Sequence, residues 1–486
     1  MATIIIQKPA FSTIFPVGQE VMFGLKNTTV TQNQIEVKFV ARVHISDVAV
    51  VNLSSTAQQV GIFKTVPNNE GIGMFNFRNV IESFVSADHL TGKNADVKGV
   101  NDPVGGTYPL HMTDKLSRNR NLSRYFAVKF SIEYLDTDPA SATFNQIVEQ
   151  DFANSVNYNI FNGYIPFDAY IKKIGNDFGF DMDTSTASYI LGQSNHKFLS
   201  NMPTTLYANK EDYMTIPVFM DDTSDFNRYI ITAYSKFPYA SIGSATTSVD
   251  NNIANGGGAY NAKTGYNFLY LGIGPANIRQ WFSGFDTSLA ADGIGFYTIK
   301  LYNSSNALIA DTLTIYVDCD KGNPNIPTPI ENKGYEPIRL CWLNQWGGWD
   351  YYTFRLKSTK TFSTQSTTYN QLGGSWNEEY YRTKSFKGGK KTFRVNTKEV
   401  IKVNSNYVTE EEALAFEYLI NSPEVFMLTG YVEESSSTFN SNTNNQYVIP
   451  VTLNTKSITR KTKANDKLIQ YTFDVEKTKI LRTQSI

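Results

Sequence analysis

Two cysteines in 486 residues exclude a disulfide framework. Cys319 and Cys341 lie in no CxxC and no Cys/His metal spacing, so both read as free thiols of a chain made in a reducing cytosol. Histidine is equally scarce. His44, His89, His111 and His196 stand isolated, with no HxH or HxxxH pair, which leaves no metal centre legible around them. No run of about 18 apolar residues could span a membrane. The start, MATIIIQKPAF, has no basic segment followed by an apolar core of the kind that directs secretion. The expectation is a protein made and kept in the cytoplasm and released, if at all, by cell lysis. Charged residues are only 18%, against roughly 25% in typical soluble domains. Surfaces laced with charged helices are therefore not expected.

Local signatures of catalysis are missing too. GxSxG, HExxH and GxxxxGK[ST] do not occur. Asp177-Phe178-Gly179 spells a kinase triplet without the Gly-rich and catalytic loops that would give it meaning. Asp181-Met182-Asp183 opens like a calcium loop but lacks the glycine at its sixth position and the glutamate at its twelfth. Asp221, Asp222 and Asp225 read as a turn, and the GIG triplets at 71–73 and 272–274 lack a dinucleotide site's third glycine. The reading is a non-enzyme with no catalytic, cofactor-binding or metal residues. Carboxylate pairs for glycoside cleavage leave no local motif, so an enzyme of that kind ranks last rather than nowhere.

What is present favours strands. Apolar residues make up 41% and aromatics 14%, with polarity supplied largely by Asn, Ser, Thr, Gln and Tyr. In QIEVKFVARVHIS, Ile35, Val37, Phe39, Ala41, Val43 and Ile45 take every second position, the period of a half-buried strand. RYFAVKFSIEYLD repeats it at Phe126, Val128, Phe130, Ile132 and Tyr134. FYTIKLYNSSNALIADTLTIYVD reads as a hairpin turning at Asn303 to Asn306. Phe77, Val80, Ile81 and Phe84 have helical spacing and predict a short helix over 79–85. Thr409 and Glu412 form a T-x-x-E capping box ahead of Ala413, Phe416 and Ile420, and Ser422-Pro423 stops that helix. Near the end, Ile469, Tyr471, Phe473 and Val475 alternate in a last strand.

The fold class expected is mainly β and multidomain: immunoglobulin-like β-sandwiches followed by an α+β, mostly β, C-terminal domain. The first sandwich is placed at 1–136 with a long loop insertion at about 86–120. The second sandwich spans 137–322 and carries a low-complexity loop at 241–260. A Pro-rich linker covers 323–337, and the last domain covers 338–486 with its helix at about 410–421.

A net charge of −1 excludes nucleic-acid binding by bulk electrostatics. The charge is uneven. Residues 338–486 hold 20 Lys and Arg against 14 Asp and Glu, or +6, which leaves −7 for residues 1–337. That asymmetry suits head-to-tail contact between copies or with an acidic neighbour, and equally well two surfaces that scattered charges simply solvate. The basic stretches 384–394 and 459–463 read as a solvated face or a site for an acidic partner rather than as DNA contacts. Trp342, Trp346, Trp349 and Trp376 suit either a sugar platform or a core or interface, and the latter reading is preferred.

At IRLCWLNQWGGWDYYTF the sequence resembles tail and baseplate proteins of tailed phages, especially crAss-like and related Bacteroidetes and marine phages. The shared form is carried here by Trp342-Leu343-Asn344, Gly347-Gly348, Asp350 and Phe354. Thr409-Glu410-Glu411, Leu419, Ser422-Pro423, Val425 and Ile449-Pro450-Val451 extend it. The N-terminal FPVGQEVMFGLKN and FNFRNVIESFV also look like the opening of such proteins, and 137–322 is least explained. The resemblance implies a structural virion protein of the tail, in a ring, hub or baseplate-like assembly built in the host cytoplasm. Its partners would be copies of itself and other tail or portal-proximal proteins, with non-specific proximity to DNA in the tail lumen and no membrane. The alternative is a carbohydrate-binding or host-adhesion module of a virion.

Overall fold

The computed structural model describes residues 3–9, 14–47, 51–88, 110–113, 115–119, 121–165, 189, 191–192, 194–220, 225–236, 238–248, 267–290, 293–317, 335–375, 377–428, 448–459, 469–479 and 481–482. The fold is mainly β, with several multi-stranded antiparallel sheets. Backbone contacts divide the chain into two units. One holds Met1–Cys319 together with Leu343–Asp350 and Glu433–Asn445, and the other holds the remainder from Asp320 on.

In the first unit, Ile35–Ser46 and Ser123–Leu135 pair antiparallel over their length at the centre of a six-stranded sheet. Their alternation has the expected result. Phe39, Ala41, Val43, Phe126, Val128, Phe130 and Ile132 face a core shared with Phe15, Phe23, Phe75 and Phe77. Phe23 stacks at a tilt on Phe130 at 5.3 Å and lies 5.8 Å from Phe77. Phe23 and Phe75 come from a three-stranded sheet, Ile4–Gln7, Met22–Lys26 and Ile72–Asn76, which supplies the other side of that core. The helix expected over 79–85 is a turn of α-helix at Arg78–Ile81 continued as 3-10 at Glu82–Phe84.

The boundary expected at 136/137 falls inside this six-stranded sheet. Ile147–Asn154 and Tyr158–Phe161 both pair with Ser123–Leu135, whose thirteen residues offer more edge than one short partner covers. Leu116–Arg118, in turn, joins Asn267–Gly272 and Thr215–Met220 in a separate three-stranded sheet. The stretches 1–136 and 137–319 therefore exchange strands within one unit.

A five-stranded sheet runs Thr205–Ala208, Leu313–Val317, Ile294–Tyr302, Arg228–Ser235, Ser241–Ser248. It contains the expected hairpin, turned by Asn303, whose Oδ1 accepts the Ala307 N–H at 2.8 Å. The Tyr229 and Tyr297 hydroxyls donate to the carbonyls of Lys115 and Ile273 at 3.0 and 2.6 Å, tying this sheet to the chain flanking the three-stranded one. Ser241–Ser248, expected as part of a loop, is an edge strand. Its Ser and Thr residues need only backbone pairing to Arg228–Ser235 to hold it there. The remainder of that loop, most of the 86–120 insertion and most of the 323–337 linker lie outside the described residues.

The second unit is built on an eight-stranded sheet. Its main path runs Trp349–Phe354, Ile338–Leu343, Val425–Leu428, Val448–Leu453, Thr472–Lys477, Gly389–Asn404, Thr359–Gln371, and Leu481–Arg482 pairs beside Gly389–Asn404. The helix Glu410–Asn421 carries the full capping box: the Thr409 hydroxyl accepts from Glu412 N–H, and the Glu412 carboxylate accepts from Thr409 N–H at 2.8 Å. Phe416 on that helix packs against Phe354, Tyr471 and Phe473 at 5.4 to 6.0 Å. Ile469, Tyr471, Phe473 and Val475 are all buried, as their alternation requires.

Candidate interaction surface

The residues around the tryptophan-rich turn form a closed internal junction. Asn344 sets its geometry: its Oδ1 accepts the N–H groups of Trp346 and Gly348 at 2.9 and 3.0 Å, and its Nδ2 donates to the Leu199 carbonyl at 3.0 Å. Gly347 has φ +76°, and a Cβ there would lie 2.1 Å from the Asn162 carbonyl oxygen and 2.3 Å from Leu122. Asp350 is fully buried and accepts from the Ser200 hydroxyl at 2.6 Å, Asn201 N–H at 3.1 Å and Asn344 Nδ2 at 3.1 Å. Burial outweighs these bonds and pushes its carboxyl up to about 6. Trp349 Nε1 donates at 2.9 Å to the carbonyl of Asp88, whose own carboxylate accepts from Asn121 N–H and the Tyr270 hydroxyl. Trp346 lies 4.5 Å from Tyr189 and stacks near Phe161 at 6.5 Å.

Trp342, Trp346 and Trp349 are therefore core residues, at most 2% exposed, and offer no sugar platform. Trp376 lies outside the described residues.

The other singled-out residues are equally internal or undescribed. His44 stands on the polar face of its strand, as alternation requires, yet is buried. Its Nδ1 lies 3.1 Å from the Arg42 carbonyl, and burial holds its pKa below the ordinary value. His111 and His196 are buried, and His89 is outside the described residues. Asp225 accepts from the Ser304 backbone and hydroxyl, a turn contact, whereas Asp177 to Asp183, Asp221 and Asp222 are outside the described residues. Gly71 has φ +72° in a turn, and Gly272 ends a strand that passes through Gly274, the N-cap, into the four-residue helix Pro275–Ile278, a strand-to-helix step that lacks a dinucleotide site's third glycine. Among the described residues no group of three or more His, Cys, Asp or Glu side chains is placed to hold a metal. Cys341 is buried and burial raises its thiol far above the usual range, while Cys319 lies outside the described residues.

The surface with an unmet physical requirement is a long two-stranded ribbon. Thr359–Gln371 and Gly389–Asn404 pair antiparallel from Thr359 opposite Lys402 to Gln371 opposite Gly389, with a bulge at Thr367/Thr368. Threonine, Phe362, Tyr369, Phe393, Val395 and Val400 supply the β-favouring side chains. Gly388 and Gly389 supply positive φ, +95° and +78°, where the chain returns. At its base Ile401 and Val403 are buried against Thr472–Lys477. Toward the tip, past the pairings with Thr472–Lys477 at Val400–Asn404 and with Leu481–Arg482 at Asn396 and Thr397, no third strand accompanies it among the described residues. Thr359–Gln371 is exposed along all but its last residue and is the outermost strand of its sheet.

Seven large apolar side chains stand exposed on this ribbon and its tip: Phe362, Tyr369, Leu372, Tyr380, Tyr381, Phe386 and Phe393, with Phe386 70% exposed. Scattered single apolar residues are ordinary, but seven on one ribbon that runs past the rest of its sheet are more than its own fold uses. Residues 359–404 hold nine Lys and Arg against three Glu, or +6. Those at the base are paired, Lys360 with Glu336 at 2.5 Å and Lys398 with Glu476 at 2.9 Å. Arg382, Lys390 and Arg394 near the tip are exposed. The basic stretch 384–394 is thus the tip and returning strand of this ribbon. Of 459–463, only Thr459 is described. The partner strand Thr359–Gln371 carries no such signal in sequence: it is threonine-rich and shows no apolar alternation because neither of its faces is buried.

The first unit carries a second exposed edge. Ile147–Asn154 pairs only with Ser123–Leu135, and Phe144, Ile147, Phe152 and Val156 in and beside it are each about half exposed or more, from 47% to 61%. Asp151 has φ +56° at a bulge that shifts register between Phe130 and Ile132. The shift keeps Ile147, Glu149 and Phe152 on one face, the outer one, with Lys129, Ser131 and Glu133.

Among the described residues no helix is long and apolar enough to cross a membrane. In comparisons with known proteins, no protein-family model matches the chain. No curated protein matches it in sequence either.

Proposed function

We propose that this chain is an architectural subunit of a tailed-phage tail, assembled through contacts with its own copies and with neighbouring tail proteins. The observation that carries the reading is the ribbon 359–404, which exposes seven large apolar side chains and whose own residues carry a net charge of +6. A two-stranded ribbon is marginal in water where it runs on past its sheet, and an exposed apolar edge invites pairing. Closed assembly covers both. The phage assignment itself rests on the resemblance at residues 342–354, 409–425 and 449–451. The adhesion reading gains no sugar platform from the buried Trp342, Trp346 and Trp349.

The test is the mass of the purified full chain in solution, with negative-stain images of any assembly. The expected result is a symmetric species several times 54.6 kDa. A monomer at every accessible concentration would overturn the reading.

A further inference from the structure

We infer that the ribbon 359–404 of one copy docks on the Ile147–Asn154 edge of a second copy, making a head-to-tail contact between two different surfaces of the same chain. The inference rests on the architectural reading above and names the surfaces that reading leaves open.

The two surfaces match in three independent respects. The first is charge. Residues 130–165 contain Glu133, Asp136, Asp138, Glu149 and Asp151 and no Lys, Arg or His. Three cations from adjoining strands reach this region: Arg42 pairs with Glu149, Lys64 meets Glu133 at 2.7 Å, and Lys129 lies 4.7 Å from the centre of the Phe152 ring. Five acids against these three cations leave −2, and the ribbon's own +6 becomes +4 once Glu336, Asp474, Glu476 and Lys477, which pair with it from adjoining chain, are counted. Opposite fields of this kind orient the encounter and select one register over others.

The second match is apolar area. Phe144, Ile147, Phe152 and Val156 flank the acidic edge, and aromatic residues line the ribbon. Aromatic anchors beside aliphatic side chains, rimmed by charge, are the usual composition of a contact core. The third is backbone. Ile147–Asn154 and Thr359–Gln371 are each paired on one side only among the described residues, so each presents free N–H and C=O groups to an incoming strand. Because the donor surface and the acceptor surface differ, the contact is heterologous. Repetition of it closes a ring when the rotation between copies divides a full turn.

The experiment uses the full chain with a photo-crosslinking benzoylphenylalanine in place of Phe393, mixed equally with heavy-isotope copies of the same protein. Crosslinked peptides joining one light and one heavy chain, with the acceptor inside residues 136–156, are the expected result. A companion variant, K390E/K391E/R394E, should lower the assembled fraction at least tenfold at a fixed concentration. Combining it with the acceptor change D138K, at an exposed acid of this edge, should restore part of the assembly, since the signs are exchanged rather than removed. Each variant's thermal unfolding should match the parent's, because Asp138, Lys390, Phe393 and Arg394 are exposed and Lys391 is partly so.

Crosslinks confined to one chain, or intermolecular crosslinks elsewhere on a protein that does assemble, would overturn the inference and leave the architectural reading standing. Assembly unchanged by charge reversal would do the same. A parent protein that is monomeric throughout would remove both.

Discussion

The Ser200 hydroxyl donates to the Asp350 carboxylate at 2.6 Å across 150 positions of sequence. Asn201 and Asn344 complete the cage around a carboxyl that burial pushes up to about 6 from an ordinary 3.8. A carboxyl whose folded pKa exceeds its unfolded value binds protons more tightly in the fold. Its contribution is therefore fully present below about pH 4 and is lost as pH rises through about 6. The loss amounts to at most about 3 kcal/mol for a shift of this size. Asp350→Asn cannot titrate, so its stability penalty relative to the parent should shrink between pH 4.5 and pH 7. Melting curves of both proteins at the two pH values check this. A penalty that grows with pH would mean that the carboxylate is held ionised instead.

Two glycines of similar backbone conformation should respond differently to the same methyl group. Gly347 and Gly389 both have positive φ, but a Cβ at Gly347 meets backbone at 2.1 Å and one at Gly389 meets nothing within 4 Å. Gly389→Ala should cost about 1 kcal/mol of local strain. Gly347→Ala should cost ~3 kcal/mol or more, because the Asn162 backbone must move as well. Urea titration of the two variants separates the cases, and equal costs would contradict the close approach.

The capping box makes a local prediction. Thr409→Ala removes the hydroxyl that accepts from Glu412 N–H and should weaken the helix Glu410–Asn421 by about 1 kcal/mol. Amide exchange across that helix should speed up roughly fivefold, while the strand Val425–Leu428 exchanges as before. Glu412→Gln keeps a side-chain acceptor and should give a smaller change.

Cys341 is buried with its thiol pushed far above the usual range, so it should be chemically silent in the folded protein. In a Cys319→Ser background, a disulfide-exchange reagent should release no colour until denaturant is added, and then one equivalent per chain. Prompt labelling of the native protein would show that the strand Ile338–Leu343 opens readily.

Much of this fold was legible because one buried face imprints a period on the sequence. The strands at 35–46, 123–135 and 294–317 and the capped helix at 410–421 all carried that imprint. The ribbon did not. TKTFSTQSTTYNQ buries neither face, so its sequence lacks alternation and reads as polar chain. Only its returning half, with Val395, Val400 and Ile401, has strand character, and there lysine and arginine dominate the local pattern. Long-range partners were equally hidden. Nothing near Trp346 announces Phe161 or Tyr189, and nothing near Asp350 announces Ser200, because these contacts depend on sheets that the turn itself does not encode. The exchange of strands across residue 136 escaped for the same reason, since hydrogen-bonding partners leave no mark in the local pattern.

The turn Leu343–Asp350 belongs to the first unit although the rest of that unit's described chain ends before residue 319. This has a consequence for the order of events on the ribosome. Leu122, Asn162 and Ser200 are all translated well before Gly347 and Asp350, and the contacts they make with the turn cannot form until it has emerged. At roughly 5–20 residues per second the delay after residue 319 is a few seconds. Through that interval the nascent first unit waits with the seat of Trp346 empty, so a ribosome stalled between these points would hold a unit that still lacks an internal piece.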